Sequence, residues 1–437
     1  MADLSAELHS RLTGEDEGRV CRDIPEAACN DQPKNFSLHI ASLAATKTGD
    51  GLVDPKLVLA WIMQALGAPH AAIGMLVPVR EAGALLPQLF TAAAIRARPI
   101  RKTVWAAGAL LQGACAIGMA GVALTLEGAA AGWAMIGLLA IFAIARSVCS
   151  VAYKDVLGKT VAKKTRGTAT GTANSVAAAL VFAFGVGIAV GIIPLTVAAL
   201  SVSLCVAGAL WFASCLFFLQ LEEVPGATEG GGNGFAVAMK QLSHLRQDPQ
   251  LVRFIAVRGL LIATALAPPY MLALGGEGGG KELGRLGSFV IASALASILS
   301  SYVWGRLSDL SSRKVLILSG LVGAAACGTV AGLAALAPAQ TDLPALLPGL
   351  LFVLMIGYQG VRLGRSTHLT DMANAETRAA YTALSNTIIG LLLLLGGLFG
   401  LVADAFGAQT VLALFALMCL GASGLGLGLN EVQADAA

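Results

Sequence analysis

At 437 residues, with 56% apolar and only 13% charged side chains and a mean hydropathy of +0.76, the chain is too apolar for a soluble protein of its size, which would carry roughly twice that share of charge. The net charge of +3 is small and says little by itself. No nucleic-acid partner is expected.

Residues 1–35 are polar and hold no early apolar run, so they read as a cytoplasmic tail without a cleaved signal peptide. Apolar segments of about 20 residues follow, long enough to cross a bilayer. Twelve are predicted, with cores at 38–63, 70–92, 103–124, 132–156, 168–190, 195–220, 250–274, 286–304, 315–337, 345–367, 379–403 and 408–428. The first is interrupted by Lys47, Asp50, Asp54 and Lys56. Six spans make a bundle over 36–221. Residues 222–249 then form a polar linker: Pro225, three glycines at 230–232 and Gly234 suggest a flexible joint, and Phe235–Leu245 a short interfacial helix. A second six-helix bundle occupies 250–430, and 431–437 form a tail. Six of the eight cysteines (Cys115, Cys149, Cys205, Cys215, Cys327 and Cys419) lie in apolar segments, where a thiol behaves as a small hydrophobe. Cys21 and Cys29 lack metal-ligand spacing.

With the N-terminus inside, the inner loops hold Arg96, Arg98, Arg101, Lys102, Lys159, Lys163, Lys164, Arg166, Lys240, Arg246, Arg306, Arg313, Lys314 and Arg378. The outer loops hold only Lys281 and Arg285. Positive-inside bias therefore places both termini in the cytoplasm, and a bacterial cytoplasmic membrane is the expected location.

The two halves repeat one another about 212 residues apart. Arg101-Lys102 and Gly108 recur as Arg313-Lys314 and Gly320, and Arg166 and Asn174 as Arg378 and Asn386. With the register shifted by four, Arg146, Ser150 and Asp155 recur as Arg362, Ser366 and Asp371. Two matched bundles with a site between them is how many secondary transporters are built.

The loop after the eighth span, Gly305-Arg306-Leu307-Ser308-Asp309-Leu310-Ser311-Ser312-Arg313-Lys314, resembles the cytoplasmic signature of the major facilitator superfamily. Leu310 and Ser312 depart from that signature, and in the first half Ala97 stands in the aspartate slot. Lys164-Thr165-Arg166-Gly167-Thr168-Ala169-Thr170-Gly171 is also similar to the family's loop between spans four and five. The resemblance covers about residues 36–430. It implies an all-α polytopic membrane protein of twelve helices in two pseudo-twofold-related six-helix bundles, carrying a small solute by alternating access. It also implies that Asp309 and Arg313 are gating latches, the aspartate accepting backbone N–H groups at a helix N-terminus. The plainer alternative is that these loop charges only set topology. Asp155 and Asp371, near the inner ends of spans four and ten, read as gate groups with Arg166 and Arg378.

Charges within the spans are costly, roughly 2.5–3.5 kcal/mol each at the bilayer centre, and should face the interior. The deep basic set is Arg80, Arg146, Arg258, Arg362 and Arg365; the deep acidic set is Asp50, Asp54 and Glu81. One reading is buried pairing that fixes helix orientation, such as Asp50 or Asp54 with Arg80 and Arg362 with Asp371. The other is a central site. The guanidinium excess then favours an organic anion, and the three carboxylates are the proton-coupling candidates. Symport, antiport and uniport stay open. Tyr270, Tyr358, Gln359 and His368 are candidate cavity residues. A drug–metabolite efflux antiporter is an alternative, although the fifth span lacks that class's glycine–proline pair. So is a transporter-like receptor that binds without translocating. Gly275–Lys281 imitates a phosphate loop, but Glu282 follows where Ser or Thr is needed. No catalytic constellation, metal site or cofactor is expected, and the partners are a solute, lipid and a coupling ion for a monomeric protein.

Overall fold

The computed structural model describes residues 7, 9–12, 30–88, 91, 94–95, 97–226, 228, 245, 248–274, 286–341, 343–373 and 378–433, with the side chains of 163–164, 301–302 and 378–380 set aside. Most of the expected N-terminal tail, the joint and interfacial helix of the linker, the Gly275–Lys281 stretch and the outer-loop cations Lys281 and Arg285 lie outside these residues.

The described chain is helical. In order the helices are α1 (Gln32–Val53), α2 (Val58–Ala65), α3 (His70–Leu85), α4 (Lys102–Thr125), α5 (Gly128–Thr160), α6 (Lys163–Ala189) and α7 (Val197–Leu219). The second half follows with α8 (Pro249–Leu260), α9 (Ala263–Leu266), α10 (Pro268–Leu274), α11 (Leu286–Leu336), α12 (Pro338–Thr341), α13 (Leu346–Met372), α14 (Arg378–Gly396), α15 (Phe399–Phe406) and α16 (Ala408–Gly426). Among the described residues nine stretches are long and apolar enough to span a membrane, and Leu286–Ser300 is a shorter apolar helix. The expected spans that fall short of that test are the first two and the eighth. The first two are short or broken and carry the charges at 47–56 and 80–81, which lower their hydropathy.

Physical causes of the breaks are local. Asp54 ends α1, and its carboxylate accepts the Lys56 backbone N–H at 2.7 Å while Pro55 has no N–H to give. The equivalent span of the second half breaks at Leu261–Ile262 and again before the Pro268-Pro269 pair. Helix α11 joins spans eight and nine in one element, divided where Ser311 is extended.

One end of the molecule carries Arg101, Lys102, Lys159, Arg313 and Lys314 and is called the basic end. At the opposite, far end the two halves meet closely. His70 Nδ1 lies 2.9 Å from Asp404 Oδ1, and Asp404 also accepts the Ala71 backbone N–H at 3.1 Å, joining α3 to α15. These helices approach so nearly that a Cβ on Gly74 would lie 2.7 Å from the Gly400 Cα. Likewise a Cβ on Gly287 of α11 would lie 2.5 Å from the Ala189 nitrogen of α6. Small residues at helix crossings permit this backbone contact. Aromatic packing fills the first bundle, with Trp105 stacked on Phe218 at 3.9 Å and Phe142 edge-on to Trp211 at 5.0 Å.

Candidate functional site

Between the far-end closure and the basic end lies a cavity of about 750 Å3. It is lined by α1 and the break after it, by α3, α5 and α6 from the first half, and by α11 and α13 from the second. Seven of the eight expected deep charges face it: Asp50, Asp54, Arg80, Glu81, Arg146, Arg362 and Arg365. Lys47 and Lys56 join them, so six cations meet three carboxylates. Asn174, Trp304, Tyr358 and Gln359 complete the polar and aromatic lining. Tyr270 and His368 do not line it. Tyr270 is buried against Phe415, and His368 stacks on Phe254 and bonds Ser312.

The charges are not evenly matched. Asp50 holds two guanidiniums at once: Arg80 donates to it at 2.9 Å, and Arg146 donates to both of its oxygens. The Arg80 guanidinium also sits over the Phe142 ring. In the second half Arg362 has only a long 3.5 Å contact to Gln359 and the Tyr358 ring at 5.9 Å. Arg365 and Glu81 have no hydrogen bond or ion pair among the described residues. The Lys56 ammonium crosses between the halves onto the face of Tyr358, 3.5 Å from its centroid. Of the anticipated pairings, Asp50 with Arg80 is present and Arg362 with Asp371 is not.

Arg258 stands outside this cavity. It is 5% exposed, donates to Ser385 at 2.7 Å and to Asn386 at 2.9 Å, and lines a side chamber of about 30 Å3 that Glu81, Arg362 and Arg365 also border.

At the basic end of the first half, Asp155 pairs with Arg101 and with Lys159. Arg166 donates to the carbonyls of Val161 and Gly158, closing the end of α5. The residue that organises this end is one the sequence reading missed, Glu223. Its carboxylate accepts the backbone N–H groups of Arg101 and Lys102, at 2.9 and 2.7 Å, and the Lys159 ammonium at 3.1 Å. An anion at a helix N-terminus is favoured by the exposed N–H groups and the helix dipole. The available signal was an acidic pair directly after the sixth span.

In the second half Asp309 and Arg313 make no hydrogen bond or ion pair among the described residues, and Asp309 is exposed. The Ser312 backbone N–H, in the same stretch, donates to Gln433 Oε1 at 3.0 Å. Gln433 also donates to Asp371 at 2.7 Å, and the Ser311 hydroxyl donates to Glu431 at 2.6 Å. Nothing is said of the Arg378 side chain, which lies outside the described residues. Outside the spans, the Lys34 ammonium, 2.9 Å away, holds the Glu222 carboxyl below its ordinary range.

No protein-family model matches the chain. A Staphyloferrin B transporter of Staphylococcus aureus (strain NCTC 8325 / PS 47) is 31% identical over 150 residues, 34% of this chain and 34% of that protein's length. The chain therefore spans about a third of the curated relative it matches. Among solved structures, a point variant of the nucleoside transporter NupG is similar over 91% of this chain and 100% of its own, with TM-score 0.69 and 14% identity. The inward-open xylose transporter XylE from E. coli is similar over 91% and 96%, with TM-score 0.62 and 13% identity. Both neighbours are major facilitator superfamily transporters. Structural similarity over nine-tenths of the length gives this chain the major facilitator superfamily fold.

Proposed function

We propose that the protein moves an organic anion across the membrane by alternating access, with the cavity between its halves as the binding site. One observation carries this reading: six cations line the cavity against three carboxylates, and neither Arg362 nor Arg365 forms an ion pair among the described residues. Cations gathered in one cavity with fewer carboxylates repel one another, a cost that an arriving anion offsets. Guanidiniums suit carboxylates through their paired donors. The volume, about 750 Å3, is within the range that buries a drug-sized molecule. Similarity to a transporter of a siderophore over a third of the chain is consistent with an organic cargo of that size.

Asp50 supplies the coupling step in this reading. Held by Arg80 and Arg146 it stays ionised; a substrate carboxylate that draws both guanidiniums away leaves it unpaired, and an unpaired buried carboxylate takes up a proton. Far-end closure by His70–Asp404 and the glycine crossings corresponds to a form open toward the basic end. Breaking those contacts while closing the basic end gives the other form.

Counterflow in proteoliposomes tests it. Vesicles preloaded with citrate or staphyloferrin B should exchange labelled citrate, while uridine and xylose loads should drive nothing. Exchange of the neutral solutes with none of the anions would overturn the anion reading. Saturable citrate binding without exchange would replace transport with a receptor.

A further inference from the structure

The two bundles handle the same arginine differently. In the first, Arg146 is answered by Asp50. In the second, its repeat mate Arg362 has no carboxylate against it. The register between the first spans of the halves is fixed by two clasps. Asn35 donates to the Glu222 carbonyl and accepts the Glu222 N–H at 2.9 Å; Gln250 donates to the Gly428 carbonyl and accepts the Asn430 N–H at 3.1 Å. A second contact falls within one residue of the same register: His39 meets Tyr153 edge-on, and Phe254 stacks on His368, next to Leu369, the repeat mate of Tyr153. The backbone flanking α9 stays right-handed helical at Leu261, Ile262 and Ala267, so the register carries forward. It places Ala265 where the first half has Asp50.

Ala265 borders the side chamber of about 30 Å3, together with Arg258, Arg362 and Arg365. A methyl group thus stands where a carboxylate would fill the space. Arg258 is 95% buried by its 5% exposure, and its Nε has no partner. The charged group acting on it most is a further cation, Arg365. Glu81 borders the chamber too, but the cations acting on it are Lys56, Arg80, Arg365 and Arg362, not Arg258. Three guanidiniums and Glu81 therefore border a largely apolar hollow of roughly the size one bound water or one halide needs, and a buried cation such as Arg258 without a counter-ion is unfavourable by several kcal/mol.

We propose that this chamber binds one small inorganic anion of halide size, a diffusible counterpart of the Asp50 carboxylate that neutralises Arg258, Arg362 and Arg365 in the second half. The site is set by the repeat and the geometry and does not depend on the cargo's being an organic anion.

The test is thermal unfolding of the full chain in detergent at constant ionic strength, exchanging sodium gluconate for sodium chloride with no organic substrate present. Wild type should gain stability saturably with chloride. Arg365→Gln should weaken the apparent chloride affinity at least tenfold. Ala265→Asp should abolish the chloride dependence, because a tethered carboxylate takes the place of the ion. Crystals soaked in bromide should give an anomalous peak between Arg258, Arg362 and Arg365, which decides the matter even should Ala265→Asp fail to fold. No saturable chloride effect, a chloride effect that survives in Ala265→Asp, or a bromide peak elsewhere overturns the proposal. Stabilisation by citrate but not by chloride, lost in Arg365→Gln, would also overturn it, by assigning the chamber to a limb of the cargo. A failure of anion counterflow would leave the halide titration unchanged, so the two ideas fall separately.

Discussion

The first and second bundles share a backbone plan but not an electrostatic one. At the basic end the first half closes with ions: Glu223 takes two backbone N–H groups and Lys159, while Asp155 takes Arg101 and Lys159. In the same places the second half uses the Gln433 amide, the serine hydroxyls at 311 and 312, and Glu431. Within the membrane the contrast recurs, with Asp50 in the first half and Ala265 at its mate in the second. In the first bundle Asp50 answers both Arg80 and Arg146. In the second, Arg362 and Arg365 have no such carboxylate, and the proposed anion preference rests on that asymmetry between two copies of one unit.

The contrast can be broken most severely at Arg146. Arg146→Ala leaves Asp50 with Arg80 alone, and a loss of about 1.5–3 kcal/mol, the scale of a hydrogen bond to a charged group, is expected. The outcome is a large drop in the unfolding temperature of purified protein, accompanied by weakened anion binding. Arg362→Ala, at the repeat-equivalent position, should leave stability nearly unchanged, since the side chain is exposed and meets only Gln359 and the Tyr358 ring. It should weaken citrate binding roughly tenfold to a hundredfold, as one charge-assisted contact of about 1.5–3 kcal/mol is lost. Arg313→Ala should do neither. Equal effects from the three would remove the distinction between the halves.

The basic end offers a gentler version. Glu223→Gln keeps an acceptor for the Arg101 and Lys102 N–H groups but discards the charge that Lys159 and the helix terminus meet. About 1–2 kcal/mol of destabilisation is expected from the charge-assisted bonds. Gln433→Ala should cost about 0.5–1.5 kcal/mol, the scale of neutral hydrogen bonds. Chemical-denaturant unfolding in detergent ranks the two, and a larger loss at Gln433 would contradict the view of the first half as the ionic one.

Much of this was legible in the sequence, and the reasons are physical. Hydropathy and length set the all-helical membrane-spanning class, because a helix satisfies its backbone hydrogen bonds within one segment and unbroken apolar runs of about 20 residues suit a spanning helix rather than a barrel strand. The repeat fixed Arg146 and Arg362 as corresponding positions, and seven of the eight deep charges line one cavity. Pairing was not legible in the same way. Which carboxylate meets which guanidinium depends on helix rotation, and a one-residue step turns a side chain by about 100°. Asp371 thus met Gln433 rather than Arg362. Arg258, deep by hydropathy, was turned toward Ser385 and Asn386. Glu223 and Gln433 lie just past the last residues of their bundles, where hydropathy is silent, and only folding brings them back onto the starts of other helices.

The smallest effect sharpens the comparison at its edge. Lys34 and Glu222 tie the start of α1 to the chain leaving the first bundle, at 2.9 Å but with side chains 48% and 54% exposed. Water screens such a pair, so Lys34→Ala should cost no more than about 0.5 kcal/mol near neutral pH. The sign with pH is set by the lowered Glu222 carboxyl, whose ordinary value is 4.5. Its contribution is present above that range and is lost as pH falls through the depressed folded value, where the carboxylate takes a proton in both states. The difference in unfolding temperature between wild type and Lys34→Ala should therefore shrink to nothing in acid while staying small and constant from neutral pH upward. A difference that persisted in acid would mean the lysine acts through its packed stem, and this clasp would then rest on the neutral Asn35 bonds that it shares with the Gln250 clasp of the second half.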